Sequence, residues 1–121
     1  MRFISTRTHG WLDYSVGLLM IFAPWLFNFA GGGAETWIFV VLGAAALLYS
    51  LLTRYELGLI KAIPMRAHLT LDFLSGVLLA LSPWLFGFAD LVATPHVVFG
   101  LFEIGAALCT QTQPASQRLR S

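Results

Sequence analysis

The sequence predicts an all-α membrane protein of four transmembrane helices, arranged as two repeated helical hairpins of parallel topology. Three observations carry this. The 121-residue chain is 58% hydrophobic and 11% charged, whereas about a quarter of the residues of a soluble domain carry charge. Its apolar residues fall into four long runs. And residues 7–30 return, in register, at residues 66–89.

The runs Trp11 to Ala30, Thr36 to Leu52, Leu69 to Ala89 and His96 to Thr110 are each about long enough to cross a ~30 Å hydrocarbon core at ~1.5 Å per residue. They are continuously apolar rather than alternating, so helices are expected and a barrel is not. Arg2 and Arg7 ahead of the first run resemble a secretory leader. That run is too long for one, however, and the repeat makes it part of the domain. The expected organisation is an N-terminus at 1–8, a first repeat at 9–54, an interfacial loop at 55–66, a second repeat at 67–111 and a disordered polar tail at 112–121. In the loop, Leu57, Leu59, Ile60 and Ile63 stand among charges, a pattern suited to the membrane surface.

Charge sets the orientation. Arg2 and Arg7 precede the first span, Arg54, Lys61 and Arg66 lie between the second and third, and Arg118 and Arg120 follow the fourth. The two short loops near Gly31 to Glu35 and Asp90 to Pro95 contain no lysine or arginine. Both termini and the middle loop are therefore expected in the cytoplasm. Cys109 is the single cysteine, so an internal disulfide is excluded and no cysteine metal spacing exists.

Displaced by 59 residues, RTHGWLDYSVGLLMIFAPWLFNFA falls on RAHLTLDFLSGVLLALSPWLFGFA. Arg7, His9, Asp13, Gly17, Pro24 and Trp25 recur as Arg66, His68, Asp72, Gly76, Pro83 and Trp84. Hydrophobicity alone reproduces leucines, not these residues in register, so the hairpin is duplicated. The second helices share only GAAALL at 43–48 and GAAL at 105–108, at a different offset. Two (Ala/Ser)-Pro-Trp motifs, each in the first helix of a two-helix unit, resemble the SPW-repeat family of small bacterial membrane proteins, with Ala23 standing where the second copy has Ser82. The resemblance implies fold and a place in the bacterial inner membrane. It implies no biochemical activity.

His9, Asp13, Gly17 and Pro24 share one ~80° sector of a helix, as do His68, Asp72, Gly76 and Pro83. Polar and small residues in membrane helices face protein, so the stripes are expected to meet across the two repeats. Arg7, His9, Asp13, Arg66, His68 and Asp72 form the candidate polar cluster, with the arginines reaching carboxylates from the interface. It reads either as helix capping and register or as a protonation site. Gly17 and Gly76 allow close packing. Pro24 and Pro83 remove a backbone donor and kink the helix before the aromatic anchors Trp25 and Trp84.

Glu103, without a counterpart in the first repeat, is a candidate intramembrane carboxyl. Ser75, Ser82 and Tyr14 are its possible partners, and its role is either a neutral interhelical hydrogen bond or proton carriage. His96, after Pro95, reads as an interfacial residue. No nucleophile arrangement, phosphate loop or metal-binding histidine spacing on one helix is present, so no enzyme, cofactor or metal is expected. A bis-histidine haem between His9 and His68 is less simple than pairing with the adjacent Arg and Asp. The expected function is a structural or accessory membrane protein whose partners are the lipid bilayer and membrane proteins, its own copies included, and not nucleic acid. The alternative is a proton-coupled transporter or channel using the His, Asp and Glu residues.

Overall fold

The computed structural model describes residues 2–114. Among the described residues there are four helices: α1 (Thr6–Leu26), α2 (Ala34–Leu51), α3 (Met65–Leu85) and α4 (Thr94–Cys109). α2 and α3 are long and apolar enough to cross a membrane, and α4 is a shorter apolar helix. The segment 112–121, expected to be disordered, lies outside the described residues from 115 onward.

The helix ends differ from the sequence expectation in both directions, for local reasons. α1 starts at Thr6, ahead of Trp11, because Ser5 is an N-cap whose hydroxyl accepts from the Thr8 amide at 3.1 Å. α3 starts at Met65 immediately after Pro64, whose φ of −61° and ψ of 150° stand just outside the helix. Both helices stop four residues before the apolar run does. Asn28 (φ 59°) and Gly87 (φ 74°) take the left-handed conformation, and the amides of Phe29 and Phe88 donate back to the carbonyls of Pro24 and Pro83 at 2.8 and 2.7 Å. This is a Schellman stop, with a buried phenylalanine at the hydrophobic position after the left-handed residue. Each Pro-Trp-Leu-Phe segment is therefore the last turn of a helix and its stop signal.

α1 packs on α2 and α3 on α4, while α2 and α3 meet more sparingly. Close approach is made by glycine. A Cβ at Gly43 would stand 2.8 Å from the Gly17 carbonyl oxygen, and one at Gly100 2.6 Å from the Gly76 carbonyl oxygen. The glycines of the repeated stripe thus face the partner helix within each hairpin, not the other hairpin as the common stripe suggested. The four glycines also correct the alignment of the second helices. Gly43 corresponds to Gly100, within VVLG at 40–43 and VVFG at 97–100, and not to Gly105, which has nothing within 4 Å of its Cβ position.

The ends of the hairpins pair reciprocally. Ile4, before α1, donates to Cys109 O and accepts from Gln111 N, both at 2.9 Å. Ile63, before α3, donates to Leu52 O at 2.7 Å and accepts from Arg54 N at 2.8 Å. Each chain entry is thereby bound to the exit of the other hairpin. Arg2 adds to the first junction, donating to the Ala107 and Thr110 carbonyls at the C-terminal end of α4, where orphan acceptors and the helix dipole favour a cation.

The exterior is apolar, and the interior holds polar side chains beside an apolar core of Met20, Ala23, Phe29, Phe39 and Leu79. Buried positions include Thr6, His9, Thr36, Ser50, Thr53, His68, Asp72, His96 and Thr110, whereas Trp11, Phe22, Trp25, Trp37, Leu74 and Trp84 are exposed. The loop between α2 and α3 divides: Leu59 and Ile60 are exposed, as a surface-lying segment requires, but Leu57 packs against Gly10 and Tyr55 sits in a small core with Met65 and Leu69.

Candidate functional site

The first turns of α1 and α3 bring the repeated histidines and aspartates together. At i, i+4 spacing each His and Asp share one helix face, and the two faces meet. His9 Nε2 lies 2.7 Å from Asp72 Oδ2 and 3.1 Å from Asp13 Oδ1. His68 Nε2 lies 2.9 Å from Asp13 Oδ2 and 3.1 Å from Asp72 Oδ2. The rings stand edge to face with centroids 5.4 Å apart. Each aspartate therefore meets both its own helix's histidine and the other's.

Threonines and tyrosines outside the candidate cluster complete the arrangement. His9 Nδ1 is 2.7 Å from Thr110 Oγ1 and His68 Nδ1 is 2.8 Å from Thr53 Oγ1. Each threonine hydroxyl donates its one proton to the carbonyl a turn back in its own helix segment, Thr110 to Ala106 and Thr53 to Tyr49, both at 2.6 Å. Its oxygen can then only accept, so both imidazoles carry a proton on Nδ1 and direct Nε2 at the carboxylates. The remaining carboxylate capacity is met by phenols. Tyr49 donates to Asp72 Oδ1 and Tyr55 to Asp13 Oδ2 at 2.6 Å. Burial first, and then the Asp13 carboxylate, push the Tyr55 phenol above its ordinary pKa, which keeps it the donor.

Arg7 and Arg66 do not belong to the cluster. Both are exposed, and among the described residues the only ion pairs are the four His–Asp contacts. Because the helices begin earlier than expected, each arginine is helical and sits two residues from its histidine, about 200° around the axis.

Glu103 joins His9, Asp13 and Asp72 in lining a partly enclosed cavity of about 30 Å³, enough for one or two water molecules. Its Oε2 has no hydrogen-bond partner among the described residues. Two of the three expected partners are otherwise engaged: Ser82 donates to Leu79 O and Tyr14 to Leu57 O.

His96 is a core residue, not an interfacial one. Pro95 lies in the first turn of α4, after Thr94, and the next side chain turns inward among Phe29, Phe39 and Phe88, at centroid distances of 4.7–5.1 Å. Its Nε2 donates to the Glu35 carbonyl at 2.9 Å, which ties the two hairpins at the end opposite the cluster. Trp25 and Trp84 are exposed beside the buried prolines 24 and 83.

The expectation that no metal set exists rested on spacing within one helix. The ligand-type atoms of His9, Asp13, His68 and Asp72, drawn from two helices, all lie within 4.8 Å of one another. No curated protein and no solved structure matches the chain. The SPW repeat domain model matches residues 7–110, a span that contains all four helix cores, both Pro-Trp motifs and the whole histidine–aspartate cluster, and the chain belongs to that family.

Proposed function

We propose that the protein is a structural or accessory membrane protein of four transmembrane spans, in which two parallel hairpins are locked together by the His9/Asp13/His68/Asp72 cluster while an apolar exterior meets lipid and partner membrane proteins. The observation that carries this reading is the reciprocity of the cluster, in which every imidazole and carboxylate is engaged from the opposite hairpin or by a threonine or tyrosine behind it. A site built to pass ions needs a continuous path for them, and here the charged groups face one another with one small cavity beside them. The exposed tryptophans and leucines support burial in lipid. Arg2, Arg7, Arg54, Lys61 and Arg66 at the cluster end support cytoplasmic termini and a cytoplasmic middle loop, in the inner membrane that the family resemblance implies.

One observation favours a second reading, proton carriage: the partnerless Glu103 Oε2 lines the same cavity as His9, Asp13 and Asp72. Proteoliposomes separate the two. The lock reading expects no proton or cation flux above protein-free vesicles from pH 5 to 8, with lowered thermal stability in Asp13→Asn/Asp72→Asn. Flux that vanishes in folded Glu103→Gln would replace it with the relay.

A further inference from the structure

We propose that His9, Asp13, His68 and Asp72 are the four ligands of a divalent first-row transition cation, with Zn²⁺ the best match. The inference deepens the lock reading and rests on the cluster's joining of α1 to α3. It does not depend on how many helices cross the membrane.

The donor set is two imidazole nitrogens and two carboxylate oxygens, a combination suited to tetrahedral Zn²⁺ and to its first-row neighbours. The distances fit. Tetrahedral coordination at ~2.0–2.1 Å separates ligand atoms by about 3.3 Å, and the four His–Asp pairs stand at 2.7–3.1 Å. The contacts reach both oxygens of Asp13 and Oδ2 of Asp72, and all four ligand atoms lie within 4.8 Å of one another, so side-chain torsions that even out these separations would seat a cation among them.

The surroundings point the same way. Metal-bound histidines are oriented by a hydrogen bond from the other ring nitrogen, and ligating carboxylates are themselves hydrogen-bonded. Here Thr110 and Thr53 hold both Nδ1 atoms, so that both Nε2 atoms face the centre. Tyr49 and Tyr55 hold the two carboxylates. An independent observation comes from His68. This side chain is fully buried, and its Nε2 approaches two carboxylate oxygens at 2.9 and 3.1 Å, yet neither contact has the alignment of a hydrogen bond. A nitrogen aimed between two carboxylates is placed as a ligand is placed. Charge agrees as well: one divalent cation neutralises two aspartates, which makes the bound centre cheap to hold in a low-dielectric interior.

The test uses the full chain in mild detergent, stripped with a chelator and then titrated with Co²⁺ as a spectroscopic probe and with Zn²⁺ as competitor. Expected are about one equivalent of Co²⁺ per chain, the intense visible d–d absorption of a tetrahedral centre, and its loss when Zn²⁺ is added. His9→Gln and His68→Gln should abolish the band. Thr53→Val and Thr110→Val should weaken affinity 10–100-fold while retaining it. Circular dichroism and monodisperse elution report whether a variant is folded; should both glutamine variants fail to fold, the intensity of the wild-type Co²⁺ band decides, since only low-coordinate geometry produces it. Folded wild-type protein that takes up no cation overturns the proposal, as does uptake unchanged by folded His9→Gln and His68→Gln. If uptake is absent but Asp13→Asn still lowers thermal stability, the lock survives as ion pairs and the metal site alone is wrong.

Discussion

A single hydroxyl proton at Thr53 and at Thr110 determines which face each buried imidazole turns to the cluster. Replacing either threonine by valine preserves the volume but leaves the Nδ1–H of a buried histidine without its acceptor at 2.7–2.8 Å. The expected cost is about 1–3 kcal/mol of stability, read by denaturation in detergent, while serine at the same position should retain most of it. Equal stability of valine and wild type would remove the threonines from the argument. The same residues mark what the sequence could and could not disclose. His9, Asp13, His68 and Asp72 were legible because the repeat carries them in register. As partners of that cluster, Thr53, Thr110, Tyr49 and Tyr55 were not, because they follow or end the second helices, where Gly43 matches Gly100 and Thr53 matches Thr110 at an offset of 57 instead of 59, and their polar side chains look unremarkable in a hydrophobic run. Arg7 and Arg66 recur just as faithfully yet lie outside the cluster, since recurrence reports a shared fold and not a shared contact.

Between elements, packing depends on which glycines approach a neighbouring backbone. A methyl group at Gly100 would meet Ala80 N and Gly76 O at 2.6 Å each, atoms that move only if α3 and α4 separate. Gly105, one and a half turns on, faces open space. Gly100→Ala is therefore expected to destabilise by roughly 1–3 kcal/mol, and Gly105→Ala to be neutral or slightly stabilising by helix propensity. Thermal unfolding of the two variants side by side checks the difference, and similar losses in both would refute the helix contact described. Composition gave the helices themselves, but the resemblance of GAAALL to GAAL drew attention to the wrong glycine. The spatial match is VVLG with VVFG, a weaker string whose glycine lies at the crossing point. Helix ends were displaced because hydrophobicity does not register a Schellman stop: Phe29 and Phe88 continue the apolar run after the backbone has left the helix.

For the molecule as a whole, the decisive feature is an exterior of tryptophan, phenylalanine and leucine around an interior in which histidine, aspartate, threonine and serine stand beside an apolar core of Met20, Phe29, Phe39 and Leu79. Water would disfavour that exterior, and lipid would select it. Length leaves a specific question, because α2 and α3 satisfy the span requirement on their own while α4 is short, at 16 residues. Cysteine labelling answers it in a Cys109→Ser background. In right-side-out vesicles a membrane-impermeant maleimide should modify Ala30→Cys and Asp90→Cys and leave Ile60→Cys untouched until the membrane is permeabilised. These three positions would give the same result if only α2 and α3 crossed. Phe3→Cys and Gln113→Cys carry the distinction: protected like Ile60, they require α1 and α4 to cross as well; labelled like Ala30, they place the first or last helix on the outer surface. The reciprocal pairing of Ile4 with Cys109 and Gln111, and of Ile63 with Leu52 and Arg54, demands that positions 3, 60 and 113 behave alike, because these junctions hold both chain entries and both exits at one end of the bundle.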